Sequence, residues 1–311
     1  MTIIEGIEGF PKDRYAVVTS GTFDGVHYGH RKILKKVVNA AKKNDGISAV
    51  LTFWPHPRFV LGKNGELKLL STFEEKVALI SEVGIDFVVK IPFTLEFSKY
   101  SSSRFIKEIL VDGLATNELV IGYDHRFGKN REGSFEYLKA NSSVYGFKVK
   151  EIPAQDIDHI SVSSSKIRRA LLDGDIGVSN QYLGQPYQLT GRVVEGEKIG
   201  RSLGYPTANI KVDEEYKLVP GDGVYAVTLI IDQKLHKGML YIGPRPTLDG
   251  INRTIEVNIF RFNRDLYGQN ITVNFIRNIR GDIKFNSLED LKQQLALDQD
   301  AALNILKDHP E

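Results

Sequence analysis

The sequence predicts two domains: an α/β domain on a parallel sheet, then a mainly antiparallel β-barrel closed by a C-terminal helix. Three observations predict this. Up to Leu183 the chain alternates short apolar strands with amphipathic helices, the pattern of a parallel sheet covered on both faces. After Leu183-Gly184-Gln185-Pro186, alternating strands follow one another through short turns, the pattern of an antiparallel barrel. A length of 311 residues fits two domains of roughly 100–200 residues each. The expected domains are residues 1–183 and 184–311.

The elements follow in order. Tyr15 to Ser20 is an apolar strand running into a Gly-rich turn. A helix from His30 to about Lys43 carries Ile33, Leu34, Val37, Val38 and Ala41 on one face. Ile47 to Phe53 is the next strand, and Thr72-Phe73-Glu74-Glu75 is a capping box opening a helix to about Val83. Strands at Asp86–Ile91, Leu119–Gly122 and Phe147–Ile152 alternate with helices at Ser103–Leu110 and Ser134–Ala140. Beyond the boundary, Gly223–Ile231 and Lys234–Ile242 form a hairpin around Asp232-Gln233. Thr254–Phe260 alternates, with Ile255, Val257 and Ile259 on one face and Glu256, Asn258 and Phe260 on the other. Ile271, Val273 and Phe275 alternate too, and Leu288, Leu291 and Leu295 mark the closing helix.

Composition narrows the function. Lys+Arg is 41 and Asp+Glu 39, a net charge of +2 with no run of like charge, which gives no support to a nucleic-acid or membrane-surface binder. No cysteine is present, which excludes disulfides, thiolate metal sites and cysteine nucleophiles. The first residues carry Glu5 and Glu8 and do not read as a signal peptide, and no apolar run approaches the ~20 residues of a membrane helix. A soluble, cytoplasmic protein is expected.

Chemistry concentrates in Gly-rich loops. Gly21-Thr22-Phe23-Asp24-Gly25-Val26-His27-Tyr28-Gly29-His30 joins the first strand to the first helix. A helix N-terminus offers unpaired N–H groups to phosphate, and the glycines allow close approach. It is neither G-x-x-x-x-G-K-[S/T] nor G-x-G-x-x-G. Two isolated histidines are usually surface groups in a turn, but here strand, glycines, histidines and helix fall in register. Ser161 to Arg169, S-V-S-S-S-K-I-R-R, opens another helix with cations in its first turn, against the dipole, so a compensating anion is expected there. Gly196 to Asn209, G-E-K-I-G-R-S-L-G-Y-P-T-A-N, is a second Gly-rich basic loop, and Thr207 and Asn209 supply neutral oxygens suited to Mg²⁺ held mainly by phosphate and water.

Together these motifs carry a resemblance. The H-x-G-H turn is similar to the signature of the nucleotidyltransferase superfamily. In full, G-T-F-D-G-V-H-Y-G-H with S-S-S-K-I-R-R resembles the adenylyltransferase module of bacterial bifunctional riboflavin kinase/FAD synthetases. T-F-W-P-H-P (Thr52–Pro57) and G-Y-D-H-R-F-G-K-N-R-E-G (Gly122–Gly133) match further motifs of that family. So do G-R-S-L-G-Y-P-T-A-N, I-G-P-R-P-T (Ile242–Thr247) and D-L-Y-G (Asp265–Gly268), in the family's order from about Gly6 to Leu297.

The resemblance implies a Rossmann-like nucleotidyltransferase domain followed by a riboflavin kinase barrel. It implies ATP at Gly21, Thr22, Phe23, Gly25, His27, His30, Ser163, Ser164, Ser165 and Arg168, with His27, His30 and Arg168 catalytic. In the second domain it implies ATP at Gly196, Lys198, Gly200 and Arg201, Mg²⁺ at Thr207 and Asn209, and Glu256 as catalytic base. Flavin contacts are implied at His56, Asp124, Arg126, Phe127, Arg131 and Asp282. Asp282 stands where the family has Glu, and Asn258 where many relatives have His. The implied reactions are riboflavin to FMN with ATP, then FMN to FAD with ATP, releasing pyrophosphate. Because the FMN phosphate is already an anion, the first turn is read as needing, and having, no carboxylate base. Two other readings remain: an adenylyltransferase for another phosphorylated substrate such as phosphopantetheine or nicotinate mononucleotide, which leaves the second domain without a role, and a flavin- or nucleotide-sensing regulator built on inactive domains.

Overall fold

The structure, a computed structural model, describes every residue except 63–66, 124, 154–161, 197–198, 248–249 and 310–311; the side chains of 199, 245–247 and 250–252 are also outside the description. Asp124 and Lys198 therefore lie outside the described residues. The chain divides into two compact units, Met1–Val162 and Ser163–Glu311.

The first unit is a six-stranded sheet in the order β1-β4-β3-β2-β5-β6, parallel throughout. Its strands are β1 (Thr2–Glu5), β2 (Ala16–Ser20), β3 (Ile47–Trp54), β4 (Phe87–Pro92), β5 (Thr116–Gly122) and β6 (Lys148–Ile152). All five residues of β2 are buried, as a central parallel strand requires. Alternation then sorts its neighbours: Ala16, Val18, Ala49, Leu51, Leu119 and Ile121 enter one core, Val17, Val50, Val88 and Val120 the other. Helix α1 (Tyr28–Lys43) buries Ile33, Leu34, Val37, Val38 and Ala41, the face read from its spacing. A short helix, α2 (Pro57–Leu61), precedes α3 (Phe73–Glu82), which opens with the full Thr72–Glu75 capping box. The expected helix at 103–110 is α4 (Ser102–Phe105) continued by a π-helical turn over Ile106–Val111, and α5 is Phe135–Tyr145.

The second unit begins with α6 (Ser164–Leu172) and α7 (Ile176–Leu183). Both are tied to the barrel. Asn180 Nδ2 donates to the Phe275 carbonyl at 2.8 Å, Asn180 Oδ1 accepts the Tyr187 amide at 2.8 Å, and the Gly221 amide donates to Leu171 O at 2.8 Å. The barrel closes in the order β10-β11-β8-β7-β12-β9. Its strands are β7 (Tyr187–Val194), β8 (Ala208–Lys211), β9 (Gly223–Ile231), β10 (Lys234–Thr247), β11 (Gly250–Ile259) and β12 (Asn270–Arg280), every pairing antiparallel. The β9–β10 hairpin turns at Asp232 and Gln233 with φ of 49° and 64°, the left-handed pair that matches strand twist. Helix α8 (Leu288–Ile305), capped by Ser287, covers one outer face of the barrel, where Ala302 and Leu306 pack on Ala226, Met239 and Phe260.

Candidate active sites

The first site is built where β2 ends. The turn after Ser20 passes through left-handed backbone at Phe23 (φ 49°), Gly25 (φ 77°) and Val26 (φ 40°), then delivers His27 as N-cap of α1. The His30 amide donates to His27 Nδ1 at 3.4 Å, and the two rings stack with centroids 3.6 Å apart. Accepting on Nδ1 fixes the proton of neutral His27 on Nε2, where it can be donated to an anion. Burial pulls His27 down to about 4. His30 also lies well below the usual histidine range, first from burial and then from the charges of His27 and Lys76. The Phe23 ring meets His30 edge-on at 5.0 Å and is buried, so it forms a wall of the turn.

The turn carries one carboxylate, Asp24, to which the sequence reading gave no role. Asp24 is buried, and its Oδ1 accepts the amides of Leu70 at 2.9 Å and Ser71 at 3.3 Å. Ser71 Oγ in turn accepts the Gly25 amide at 3.1 Å. Asp24 thus holds the turn to the segment before α3 and is no free base. The sequence reading also missed Lys76 and His125. Lys76 is 4 % exposed, and its Nζ donates to Thr52 Oγ1 at 3.0 Å and Thr22 O at 3.3 Å. Its signal was present: a lysine three residues from both Phe73 and Leu79, on the buried stripe of α3. His125 Nε2 lies 3.0 Å from Ser20 Oγ, joining the carboxyl ends of β2 and β5. Those strands are neighbours, and the chain order reverses between them, the switch point where ligands of open α/β sheets bind.

The other residues expected here are more dispersed. His56 is buried and caps α2, its Nδ1 accepting the Arg58 amide at 3.1 Å. Phe127 packs on Phe105 with centroids 5.5 Å apart, while Arg126 and Arg131 are exposed. Ser163 caps α6 by accepting the Lys166 amide at 3.3 Å; Ser164 and Arg168 are half-buried and Ser165 exposed. Arg169 pairs with Asp173 one turn on, at 3.6 Å. These α6 residues belong to the second unit.

The second site is on the outer face of the barrel. A cavity of about 290 Å³ lies between the strands, α8 and the segment after β12. Leu203, Met239, Ile283, Phe285, Leu291 and Leu295 give it apolar walls; Tyr241, Thr254, Glu256, Asn258 and Asp282 line it with polar groups. Strand register brings its chemistry together, since Glu256 on β11 faces Asn209 on β8 and Tyr241 on β10. Thr207 Oγ1 donates to Glu256 Oε2 at 3.1 Å, and Thr254 Oγ1 lies 3.3 Å from Glu256 Oε1 and 3.4 Å from Asn209 Oδ1. A Cβ at Gly196 would collide with the Asn209 side chain, so the Gly-rich loop lies directly against it. Gly200 accepts the Tyr205 amide at 2.8 Å, and the exposed Arg201 belongs to the helical turn Ile199–Ser202.

Asn258 is buried and donates to Pro206 O at 2.7 Å, anchoring the Pro-Thr loop. Asp282 accepts the Tyr241 hydroxyl at 3.1 Å; burial, then that carboxylate, raises the Tyr241 phenol above its ordinary value. Arg280 closes the cavity from behind through a bidentate ion pair to buried Asp298 of α8, with contacts of 2.7–3.2 Å. Among the described residues, no group of three His, Cys, Asp or Glu side chains could hold a metal ion. Thr207 and Asn209 beside one carboxylate instead match a Mg²⁺ ion that keeps phosphate and water as its main ligands.

Known proteins are similar to this chain in sequence and in fold. The FAD synthetase family model matches residues 10–166 and the riboflavin kinase model residues 183–306. The chain is 36% identical over 287 residues to the bifunctional riboflavin kinase/FMN adenylyltransferase of Haemophilus influenzae, covering 92% of each protein. It is 37% identical over 303 residues to that of Buchnera aphidicola, covering 96% of each. The Listeria monocytogenes protein of the same description is 38% identical over 285 residues, 91% of this chain and 90% of that one. A crystal structure described as a macrolide-efflux protein from Streptococcus pneumoniae superposes with a TM-score of 0.88 at 29% identity, over 97% of this chain and 98% of that one. Among the described residues, no helix is long and apolar enough to cross a membrane. With both domain models matched in order and full-length relatives above 30% identity, the chain belongs to the bifunctional riboflavin kinase/FMN adenylyltransferase family.

Proposed function

We propose that the chain makes FAD from riboflavin in two ATP-dependent steps, riboflavin phosphorylation in the barrel and adenylyl transfer at the His27–His30 turn. The observation that carries the first step is the Thr207–Glu256–Thr254–Asn209 cluster beside an apolar cavity. An apolar ring system with a hydroxylated arm fits such a lining. Glu256 takes the proton of the riboflavin 5′-hydroxyl as its oxygen bonds to the γ-phosphorus of ATP and ADP leaves. Gly196, Lys198, Gly200 and Arg201 hold the ATP phosphates, and Asp282 meets the flavin. Thr207 and Asn209 would hold Mg²⁺, which neutralises charge on the transferring phosphoryl group when bound.

In the second step the FMN phosphate oxygen bonds to the α-phosphorus of ATP and pyrophosphate leaves. The nucleophile is already ionised, so the site aligns it and stabilises spreading charge. Neutral His27 and His30 donate to phosphate oxygens, and the Gly21, Thr22, Phe23 and Gly25 backbone receives the nucleotide. Ser163, Ser164, Ser165 and Arg168 complete the ATP contacts, and His56, Asp124, Arg126, Phe127 and Arg131 the FMN contacts. Residues 1–183 carry this activity and 184–311 the kinase, in the cytoplasm, where ATP is supplied. Incubation with riboflavin, ATP and Mg²⁺ should give FMN and then FAD with pyrophosphate. Adenylyl transfer to phosphopantetheine or nicotinate mononucleotide in place of FMN would overturn the reading.

A further inference from the structure

The first site holds a buried cation that neither the motifs nor the mechanism above employ. Lys76 reaches from α3 under the Gly21–His30 turn, is 4 % exposed, and donates to Thr22 O and Thr52 Oγ1. Its ammonium also lies 5.1 Å from the Phe73 ring and 5.7 Å from the Trp54 ring. It pairs with no carboxylate among the described residues. An ammonium taken out of water is costly unless an anion compensates it, and such a charge persists where function requires it. The carbonyl it grips belongs to the turn that the proposed function gives to the ATP phosphates, which would compensate the charge.

We propose that Lys76 is a positioning residue of adenylyl transfer: a buried cation beneath the phosphate turn, anchored on Thr22 and Thr52, whose charge is matched by the phosphates of ATP. It orients the Thr22 peptide and holds positive potential under the nucleotide without touching the reacting atoms. Burial first, then His27 and the Lys76 charge, keep His30 neutral and so able to donate from one nitrogen while the other stays unprotonated.

The charged groups facing Lys76 come from every element around it. Asp24 of the turn and Glu74 of α3 favour its charge, while burial and Lys90 of β4 oppose it; His27 and His30 are already neutral above pH 7. Burial dominates, and the ammonium titrates near 8 instead of 10.5. Raising pH through that value discharges it.

The proposal rests on assigning this turn to adenylyl transfer, and the experiment separates the two. FAD formation from FMN and ATP, riboflavin phosphorylation and thermal unfolding are measured on the full chain for Lys76→Met, Lys76→Gln and His27→Ala. Both Lys76 variants should lose about 10²-fold in kcat/KM for ATP in FAD formation. Riboflavin phosphorylation should stay within about twofold of the parent. Their Tm should be equal or higher, since a buried charge has been removed. The parent's kcat/KM should fall as pH rises past about 8, and the variants should lack that limb. Activity of Lys76→Gln within about threefold of the parent, or loss of activity that tracks a lowered Tm, overturns the proposal. If Lys76→Met does not fold, the parent's profile decides, and a flat profile from pH 7 to 9 overturns it. His27→Ala with full FAD formation would instead overturn the assignment of the turn.

Discussion

Glu256 is the residue we propose as the base of the kinase chemistry. Thr207 donates to one of its oxygens and Thr254 lies beside the other, so both hydroxyls hold it at the cavity while leaving it able to take a proton. Glu256→Gln keeps the shape and one acceptor but is a very weak base. Riboflavin phosphorylation should fall about 10²–10⁴-fold, mainly in kcat, while FAD formation from supplied FMN continues. A loss of less than about threefold would remove Glu256 as base. At the other site, His27→Ala should slow FAD formation by about 10²–10³-fold, the scale for one lost transition-state donor. His27 also links stability to pH. Its folded pKa, about 4, lies below the ordinary 6.5, so between those values the unfolded chain binds the extra proton and stability is lost as pH falls. Replacing His27 with Gln should flatten the dependence of Tm on pH from 6.5 down to 4; an unchanged slope would show that His27 is not the group involved. Glu256 and both histidines were legible in the sequence because their motifs are local. The burial of Lys76 was legible from its place on the apolar stripe of α3, but its role was not, because that depends on a carbonyl 54 positions away in the chain.

Among the elements, α3 and α8 show two ways a helix is held. Helix α3 is set by its own first turn: Thr72 accepts the Glu75 amide at 3.1 Å and Glu75 accepts the Thr72 amide at 3.0 Å. Thr72→Ala should cost about 1 kcal/mol, read as a lower denaturation midpoint. Helix α8 is held from outside by Arg280 on β12, which grips Asp298. Asp298→Ala leaves a half-buried guanidinium unpaired and should destabilise the second unit by about 3–5 kcal/mol. Because Leu291 and Leu295 of α8 wall the cavity, the same change should raise KM for riboflavin and leave FAD formation from FMN unaffected. An unchanged KM would detach α8 from substrate binding. The capping box and the apolar face of α1 were readable from spacing alone. Strand β1 was not: its four residues are mostly exposed, and only pairing with β4 makes them a strand. Helix α7 was not read either, since it is fixed by Asn180 bonding across to β12 and the start of β7.

At the scale of the molecule, the motifs of each reaction lie in sequence blocks, and the two activities should separate. A fragment from Gln185 onward should make FMN and no FAD; FAD from that fragment would refute the division. Helices α6 and α7 fold with the barrel, so a fragment from Ser163 should make FMN with a higher Tm than the shorter one. Equal melting temperatures would show that the helix pair adds nothing to the barrel.

The amino-acid sequence by itself determined the class of each domain, the order of the two active sites, and most of the residues proposed for them. Periodicity reports which face of an element is buried, and a phosphate-binding turn needs glycines and donors close together in the chain. Only the tertiary structure decided how the barrel closes, where α6 and α7 pack, that Asp24 is a buried tether and that Lys76 is a buried cation under the turn. Each of these depends on contacts between distant segments, and burial, which sets the cost of a charge and the use of a carboxylate, exists only once those segments meet.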